Sequence, residues 1–358
     1  MSSDVRPFVF PGLTTRVIFG QGKLACLGDE VAALGHSRAL VLSTPHQGDQ
    51  AADLAKALGR NAVGTFTDAT MHTPVDVTDR AVAVFRAAEA DCIVSVGGGS
   101  TIGLGKAIAA RTGVDQIAIP TTYAGSEMTD ILGETADGAK TTRRGEEIRP
   151  ETVIYDVDLT LGLPPAMTVT SALNAIAHAV EALYAPDRSP IIEMMCAAAC
   201  EAIADGLPVV VANPNDRAGR ARVLYGAWLC SAALGQVSMA LHHKLAHVLG
   251  GSFGTPHAET HAILLPHTAG FNAVRTPHEL APVARAFAPW GDGVGPGLHG
   301  FAAAMGAPTR LSDLDLTDAD MDRAADIAVR TPYPNPRPFD RADIRALLGA
   351  ALEGAVPA

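Results

Sequence analysis

Six of the chain's twelve histidines fall between Leu241 and His267, in the run LHHKLAHVLGGSFGTPHAETHAILLPH. Side chains four apart on a helix are neighbours, so His243 and His247 are expected to share a face. Gly250 and Gly251 are expected to end that helix, and the loop SFGTP then delivers His257 to the start of another. A second candidate helix, SALNAIAHAVEALYA, sets Asn174 one turn before His178. Imidazoles gathered in this way support three kinds of chemistry. They can hold a divalent metal ion with several ligands. They can line a metal-free pocket that moves protons and binds carboxylates. They can also form a purely structural polar network. The residues by themselves leave all three open.

A second signal is Gly97-Gly98-Gly99-Ser100-Thr101, which follows an apolar strand and opens a helix. Glycines let backbone come close to a diphosphate, and the N–H groups at a helix start attract its charge. A tight strand-to-helix turn looks the same, but its place favours a ligand. In open α/β sheets ligands bind beyond the carboxyl ends of strands, where both GGGST and PTTYAGSE stand. The spacing is not GxGxxG, so the dinucleotide site is of a different kind. Thr121 and Thr122 offer hydroxyls to a nicotinamide amide, or else cap the next helix together with Glu127. Ser126, in the same segment, and Lys106, on the helix after the glycines, complete this candidate cofactor set. The second strand ends in Ser43 and Thr44, with no acidic residue to bond a ribose and repel a 2′-phosphate. NADPH is therefore expected to be tolerated beside NADH.

The elements that must position these residues change texture along the chain. TRVIFGQGKLACLGDEVAALG reads as strand, turn and amphipathic helix. RALVLST, AVGTFTD, DCIVSVG and DQIAIP follow as strands, with helices between them. Such alternation predicts a parallel sheet with helices on both faces. Beyond Asp156 a Pro-rich turn, DLTLGLPPAMT, leads into segments of helical period: 166–185, 190–206, 217–238, 241–250, 257–273, 278–289, 298–305, 318–330 and 340–352. The chain is thus expected to form an α/β dinucleotide-binding domain over 1–157 and an all-helical substrate domain over 158–358.

Composition narrows the partners. A formal charge of −11 leaves no basic stripe for nucleic acid, and an anionic substrate must be attracted locally, against the overall field. The start, MSSDVRPFVFPG, lacks a basic stretch followed by an apolar run. Five cysteines, an odd number, fit a reducing compartment, so a cytoplasmic location is expected. The uncharged segment from Val223 to Leu241 is long enough to be weighed as a membrane span, but Gly226, Gly235 and Gln236 argue for a buried core helix and no membrane.

Taken together, GGGST, PTT…GSE, YDVDLTLGLPPAMTVTSALNAIAHAVEALY and HHKLAHVLGGSFGTPHAETHAILLPH resemble the iron-type (group III) alcohol dehydrogenase superfamily. The resemblance spans both expected domains. It implies an NAD(P)-binding α/β domain, an all-α C-terminal domain (the dehydroquinate synthase-like arrangement), a cleft between them and a homodimer. In that family an Asp, a His one turn later and two further His hold Fe²⁺ or Zn²⁺. The corresponding positions here are Asn174, His178, His243 and His257, while His247 falls where the family has a non-ligand histidine near nicotinamide and substrate. Asn in place of Asp removes a negative charge from a cation's shell, so metal binding is expected to be weak or lost.

Further departures are Tyr123 inside a shortened PTT…GSE segment and Gly103 where many relatives carry an acid. With LHHKLAHVLGG, PHAETHAILLPH and PYPNPRP they resemble one branch, the maleylacetate reductases. That branch reduces the carbon–carbon double bond of maleylacetate with NADH or NADPH, in the breakdown of aromatic and chloroaromatic compounds, and is regarded as needing no metal. An alcohol dehydrogenase stabilises an alkoxide with a Lewis acid. Conjugate reduction spreads charge into an enolate that hydrogen-bond donors can hold, and a pocket without the Asp would not repel a dicarboxylate. The resemblance assigns His243, His178 and His257, with Asn174, to substrate oxygens through partly protonated imidazoles. It leaves His247 or Tyr123 as proton donor. Lys244 and Arg337 are weaker candidates for attracting the anion. Competing expectations are a metal-dependent alcohol or aldehyde oxidoreductase of the same fold and a nucleotide-binding protein without catalysis.

Overall fold

The computed structural model describes residues 7–136, 139–331 and 333–357. The chain divides into two compact units. One comprises Leu13–Pro164 and Asn213–Leu224; the other holds Pro165–Ala212, the chain from Tyr225 onward and the described residues before Leu13. A single cut after residue 157 therefore does not follow this division: residues 158–164 and 213–224 cluster with the first unit.

The first unit is built on six parallel strands. In chain order its elements are β1 (Arg16–Gly20), α1 (Leu27–Ala33), β2 (Ala39–Leu42), α2 (Gly48–Leu58), β3 (Ala62–Phe66), α3 (Val75–Ala87), β4 (Cys92–Gly97), α4 (Gly99–Thr112), β5 (Asp115–Pro120), β6 (Ile131–Ala136), β7 (Ala139–Arg144) and β8 (Thr152–Asp156). The sheet order is β1-β8-β5-β4-β2-β3. Alternate side chains of each strand serve opposite faces. Val41, Val94, Ile117 and Ile154 pack with Val31 of α1 and Leu54 of α2. Leu40, Leu42 and Ile93 pack with Phe85 of α3 and Leu104 of α4. Both faces are covered, which is why these strands read as continuous apolar runs.

Three strands were not foreseen. β6 and β7 form an antiparallel hairpin of mostly polar sequence. β8, TVIYD, pairs with both β1 and β5 inside the sheet. It lies next to the Pro-rich turn, which hid its strand character.

The second unit is helical. Its helices are α5 (Pro165–Tyr184), α6 (Pro190–Ala212), α7 (Arg217–Leu234, whose first turns belong to the first unit), α8 (Leu241–Phe253), α9 (His257–Ala273), α10 (Ala281–Phe287), α11 (Val294–Ala304), α12 (Asp318–Arg330) and α13 (Arg341–Glu353). Every residue of α5 from Thr168 to Tyr184 is buried, so it is the central helix around which the others pack.

Two helix ends differ from expectation. α8 runs through Gly250 and Gly251 and stops at Gly254, whose φ of 69° suits the left-handed cap. Each internal glycine costs about 1 kcal/mol against alanine; burial of Leu245, Val248 and Leu249 offsets it. α6 continues past residue 206 through Pro208 to Ala212. Among the described residues, α6 rather than 223–241 is long and apolar enough, by length and composition only, to cross a membrane. The 223–241 segment instead divides between α7, a turn and the start of α8.

Candidate active site

Three helices bring the histidines of the second unit together. α5 carries Asn174 and His178, both buried; α8 carries His242, His243 and His247; α9 begins with the exposed His257 and buries His261 one turn later. The rings of His178 and His243 stack with centroids 5.2 Å apart. His261 lies among the others, its centroid 4.4 Å from that of His257, 5.1 Å from His243 and 6.3 Å from His178. Of the expected imidazoles, His178, His243 and His247 thus neighbour one another directly, and His257 joins them through His261, which the sequence reading did not include.

Glu181 fixes the geometry. It follows His178 by three residues on α5 and is fully buried. One carboxylate oxygen accepts from the backbone N–H of His242 (2.7 Å), the other from Ala240 N–H (2.8 Å) and His243 Nδ1–H (2.7 Å). A carboxylate at a helix N-terminus meets unpaired N–H groups and the positive end of the dipole. Glu181 thus anchors the start of α8 and selects the Nδ1–H tautomer of His243, leaving Nε2 for a ligand.

A second chain fixes His261. Thr268 donates its hydroxyl to Leu264 O (3.0 Å), so its oxygen accepts from His242 Nδ1–H at 2.9 Å. His242 Nε2 then accepts from His261 Nδ1–H at 2.8 Å. His261 Nε2 is left as a buried lone pair with no hydrogen-bond partner among the described residues.

Burial, reinforced by neighbouring imidazoles, holds His178, His242 and His261 well below the usual histidine range. The expectation of a partly protonated imidazole is corrected for His178, which burial keeps neutral at pH 7. Positive charge nearby comes from Lys244, which is largely buried, donates to Thr331 Oγ1 (3.1 Å) and stands 5.3 Å from the centre of the Tyr333 ring. The Tyr333 hydroxyl is 3.4 Å from His247 Nδ1. Arg337 is spent elsewhere, donating to Phe271 O (3.2 Å) and stacking on that ring. Pro332, part of PYPNPRP, lies outside the described residues.

The four positions at which the family resemblance places metal ligands carry one amide and three imidazoles. The carboxylate beside them, Glu181, is committed to α8 and His243. Among the described residues no three His, Cys, Asp or Glu side chains are arranged to hold a metal ion. The set therefore lacks the carboxylate that the family resemblance places among the metal ligands.

The glycine turn belongs to the first unit. Gly97 ends β4, Gly98 precedes α4, and Gly99, Ser100 and Thr101 form its first turn. Gly97 has φ 154°, and a Cβ there would strike Thr101 Oγ1. At Gly98 a Cβ would lie 3.0 Å from Thr122, whereas at Gly99 it would meet only Ala124 Cβ, at an ordinary 4.0 Å. Packing thus requires Gly97 and crowds Gly98, while Gly99 has room for a Cβ. Thr121 accepts from Gln47 Nε2 at 3.1 Å, and Thr44 donates to Gln47 Oε1 at 3.3 Å.

Three candidates are placed differently from expectation. Ser43 is fully buried and donates to Thr44 O (3.0 Å), so the strand end is presented by Thr44. Lys106 is also fully buried: it donates to the carbonyl and hydroxyl of Ser126, to Thr129 Oγ1 (2.9 Å) and to Ile131 O (3.1 Å). Burial pulls its pKa down to about 7, against the pull of Glu127 and Asp130. It ties down the 126–131 segment, and Ser126 with it, rather than offering charge to a phosphate. Tyr123 is 1% exposed; its hydroxyl accepts from Arg220 Nη1 (3.4 Å), and burial pushes its pKa up. Arg220, itself wholly buried, also donates to Pro214 O (3.0 Å) and Leu163 O (3.2 Å). Tyr123 is a core residue of the first unit, not a proton donor.

Glu181, His242, His261, Tyr333 and Gln47 were missed. Positions 174, 178 and 181 form one helical stripe, a signal that was present for Glu181. Gln47 gave none, because its place depends on strand order.

Comparison with known proteins bears on this arrangement. The description for iron-containing alcohol dehydrogenase matches residues 14–157, and that for the Fe-containing alcohol dehydrogenase family, C-terminal, matches residues 168–352. The chain is 55% identical to the maleylacetate reductase of Rhizobium sp. (strain MTP-10005) over 353 residues, 99% of this chain and 100% of that one. It is 48% identical to maleylacetate reductase 1 of Rhodococcus opacus over 361 residues, 100% and 99% of the two. The crystal structure of maleylacetate reductase from Agrobacterium tumefaciens is similar at a TM-score of 0.95 and 55% identity, covering 98% of this chain and 100% of that one. A parallel glycine-turn unit, a helical unit centred on α5 and its histidines, and these matches along nearly the whole length agree: the chain belongs to the iron-containing alcohol dehydrogenase family.

Proposed function

We propose that this chain reduces the carbon–carbon double bond of maleylacetate, giving 3-oxoadipate, with NADH or NADPH and without a metal ion. The observation that carries the reading is Asn174 at the family's anionic ligand position, beside a carboxylate already committed to His243. Relatives 48% and 55% identical that bear the maleylacetate reductase name support it.

The dinucleotide, when bound, supplies a hydride to the alkene carbon β to the ketone. Every other part falls to the chain. A substrate oxygen lies against His243, whose ring Glu181 aims, and against His178, His257 and Asn174, with the Asn174 amide as the N–H donor to it. Lys244 sets positive potential beside them to attract a dicarboxylate. As negative charge spreads to the ketone oxygen, fixed dipoles and hydrogen bonds hold it without reorganisation. His247, next to the Tyr333 hydroxyl, gives a proton to the carbon α to the ketone. One hydride and one proton add across the double bond, and NAD(P)⁺ and 3-oxoadipate leave. On this reading the enzyme acts in the breakdown of aromatic compounds, in the cytoplasm, as a homodimer.

The test is NADH oxidation with maleylacetate beside short aldehydes, before and after EDTA. Oxidation with maleylacetate alone, unchanged by EDTA, is the expected result. Activity abolished by EDTA and restored by Fe²⁺ or Zn²⁺ would refute the metal-free reading, and activity on aldehydes only would refute the substrate.

A further inference from the structure

The strands β5, β4 and β2 are neighbours, so the carboxyl end of β4 lies between the other two ends. Gln47, the residue before α2, reaches across this edge. Its amide nitrogen donates to Thr121 at the end of β5 (3.1 Å) and to Gln50 Oε1 (3.2 Å). Its amide oxygen accepts from Thr44 at the end of β2 (3.3 Å) and lies 2.9 Å from where a Cβ on Gly97 would stand. Three strand ends therefore meet at one uncharged side chain, directly against the glycine turn.

A dinucleotide held on that turn must lay its riboses and diphosphate along the same edge, because ligands of open α/β sheets lie beyond the strand ends. An amide can both donate to and accept from ribose hydroxyls. A carboxylate at such a place bonds a free 2′-hydroxyl and repels a 2′-phosphate. Ser43 is turned inward and Thr44 is neutral, so neither residue at the end of β2 supplies the charge that Gln47 lacks.

We propose that Gln47 contacts the bound dinucleotide and that its neutrality admits a 2′-phosphate, so that residue 47 sets the preference between NADH and NADPH. This rests on reading Gly97–Thr101 as the dinucleotide turn.

The experiment is a fluorescence titration of the full chain with NADH and with NADPH, without substrate, for wild type, Gln47→Glu and Gln47→Lys. Gln47→Glu is expected to weaken NADPH relative to NADH by at least about tenfold, because like charges about 4 Å apart repel by about fivefold even in bulk water and by much more near a protein surface. Gln47→Lys is expected to move the ratio the other way. A ratio unchanged in both variants, with binding of NADH retained, overturns the proposal. A wild type that binds neither nucleotide overturns instead the reading of the glycine turn, and the two failures are distinct.

Discussion

Replacing Glu181 by glutamine tests whether one buried carboxylate organises the histidine cluster. Each of its oxygens faces a backbone N–H: His242 N at 2.7 Å on one side, Ala240 N at 2.8 Å on the other. Backbone donors cannot reverse polarity. Whichever way the substituted amide turns, its NH₂ group opposes an N–H at the start of α8. If it keeps Ala240 and His243 satisfied, it fails His242; the flip fails Ala240 and denies His243 Nδ1 its acceptor. A hydrogen bond to a charged group contributes about 1.5–3 kcal/mol, and breaking a buried charged arrangement costs about 3–5 kcal/mol. A loss of about 3 kcal/mol corresponds to a fall in Tm of about 4 °C for a chain of 358 residues. Activity should fall further than stability, since a slight misplacement of a reacting group costs about 100-fold. Thermal unfolding and kcat/KM for NADH oxidation measure both. Glu181→Asp keeps the acceptor polarity and should recover part of each. A Glu181→Gln protein with Tm and kcat/KM indistinguishable from wild type would refute the argument that Glu181 aims His243.

Other substitutions separate roles that the sequence merges. Tyr123→Phe loses a partner of buried Arg220 and should cost about 1 kcal/mol of stability, with kcat nearly unchanged; a collapse of kcat would reinstate Tyr123 as proton donor. Gly97→Ala forces a Cβ into Thr101 at φ 154° and should fail to accumulate as folded protein, whereas Gly99→Ala, whose Cβ would meet only Ala124 at an ordinary 4.0 Å, should fold normally and raise KM for the cofactor. Equal Tm for the two would contradict the packing account. His267 is held neutral by burial, its pKa lowered from 6.5 to about 4. Above pH 6.5 it is uncharged folded or unfolded and contributes no pH dependence. As pH falls below 6.5 the unfolded chain takes up the proton first, so stability drops, by about 2.5 kcal/mol at pH 4.5. Urea denaturation of wild type and His267→Gln at pH 7 and 4.5 should show a steeper loss in wild type; parallel curves would count against it.

Much of the architecture can be read from residue order. Apolar runs of β2, β4 and β5 alternating with amphipathic helices require a covered parallel sheet, because only burial on both faces suits strands apolar throughout. Helical period beyond residue 165 and the spacing of His243, His247 and His257 likewise follow from local repeat. Local rules failed where a neighbour in space intervened. β8 looks like part of a turn until β1 and β5 offer it partners. Gly250 and Gly251 look like a stop until buried leucines hold α8 together.

Residue types and spacing determined by themselves that imidazoles would gather and that a glycine turn would end a buried strand, since both depend on periods of a few residues. Polarity, burial and availability were decided by packing alone. Tyr123 and Lys106 have reactive side chains, yet the fold encloses one against Arg220 and binds the other to the 126–131 segment. Glu181 and His242 appear as ordinary helix residues, yet they fix which nitrogen of His243 and of His261 is left free of them. A hydrogen bond needs a partner at about 3 Å, and helices far apart in sequence supply it only once the chain has folded.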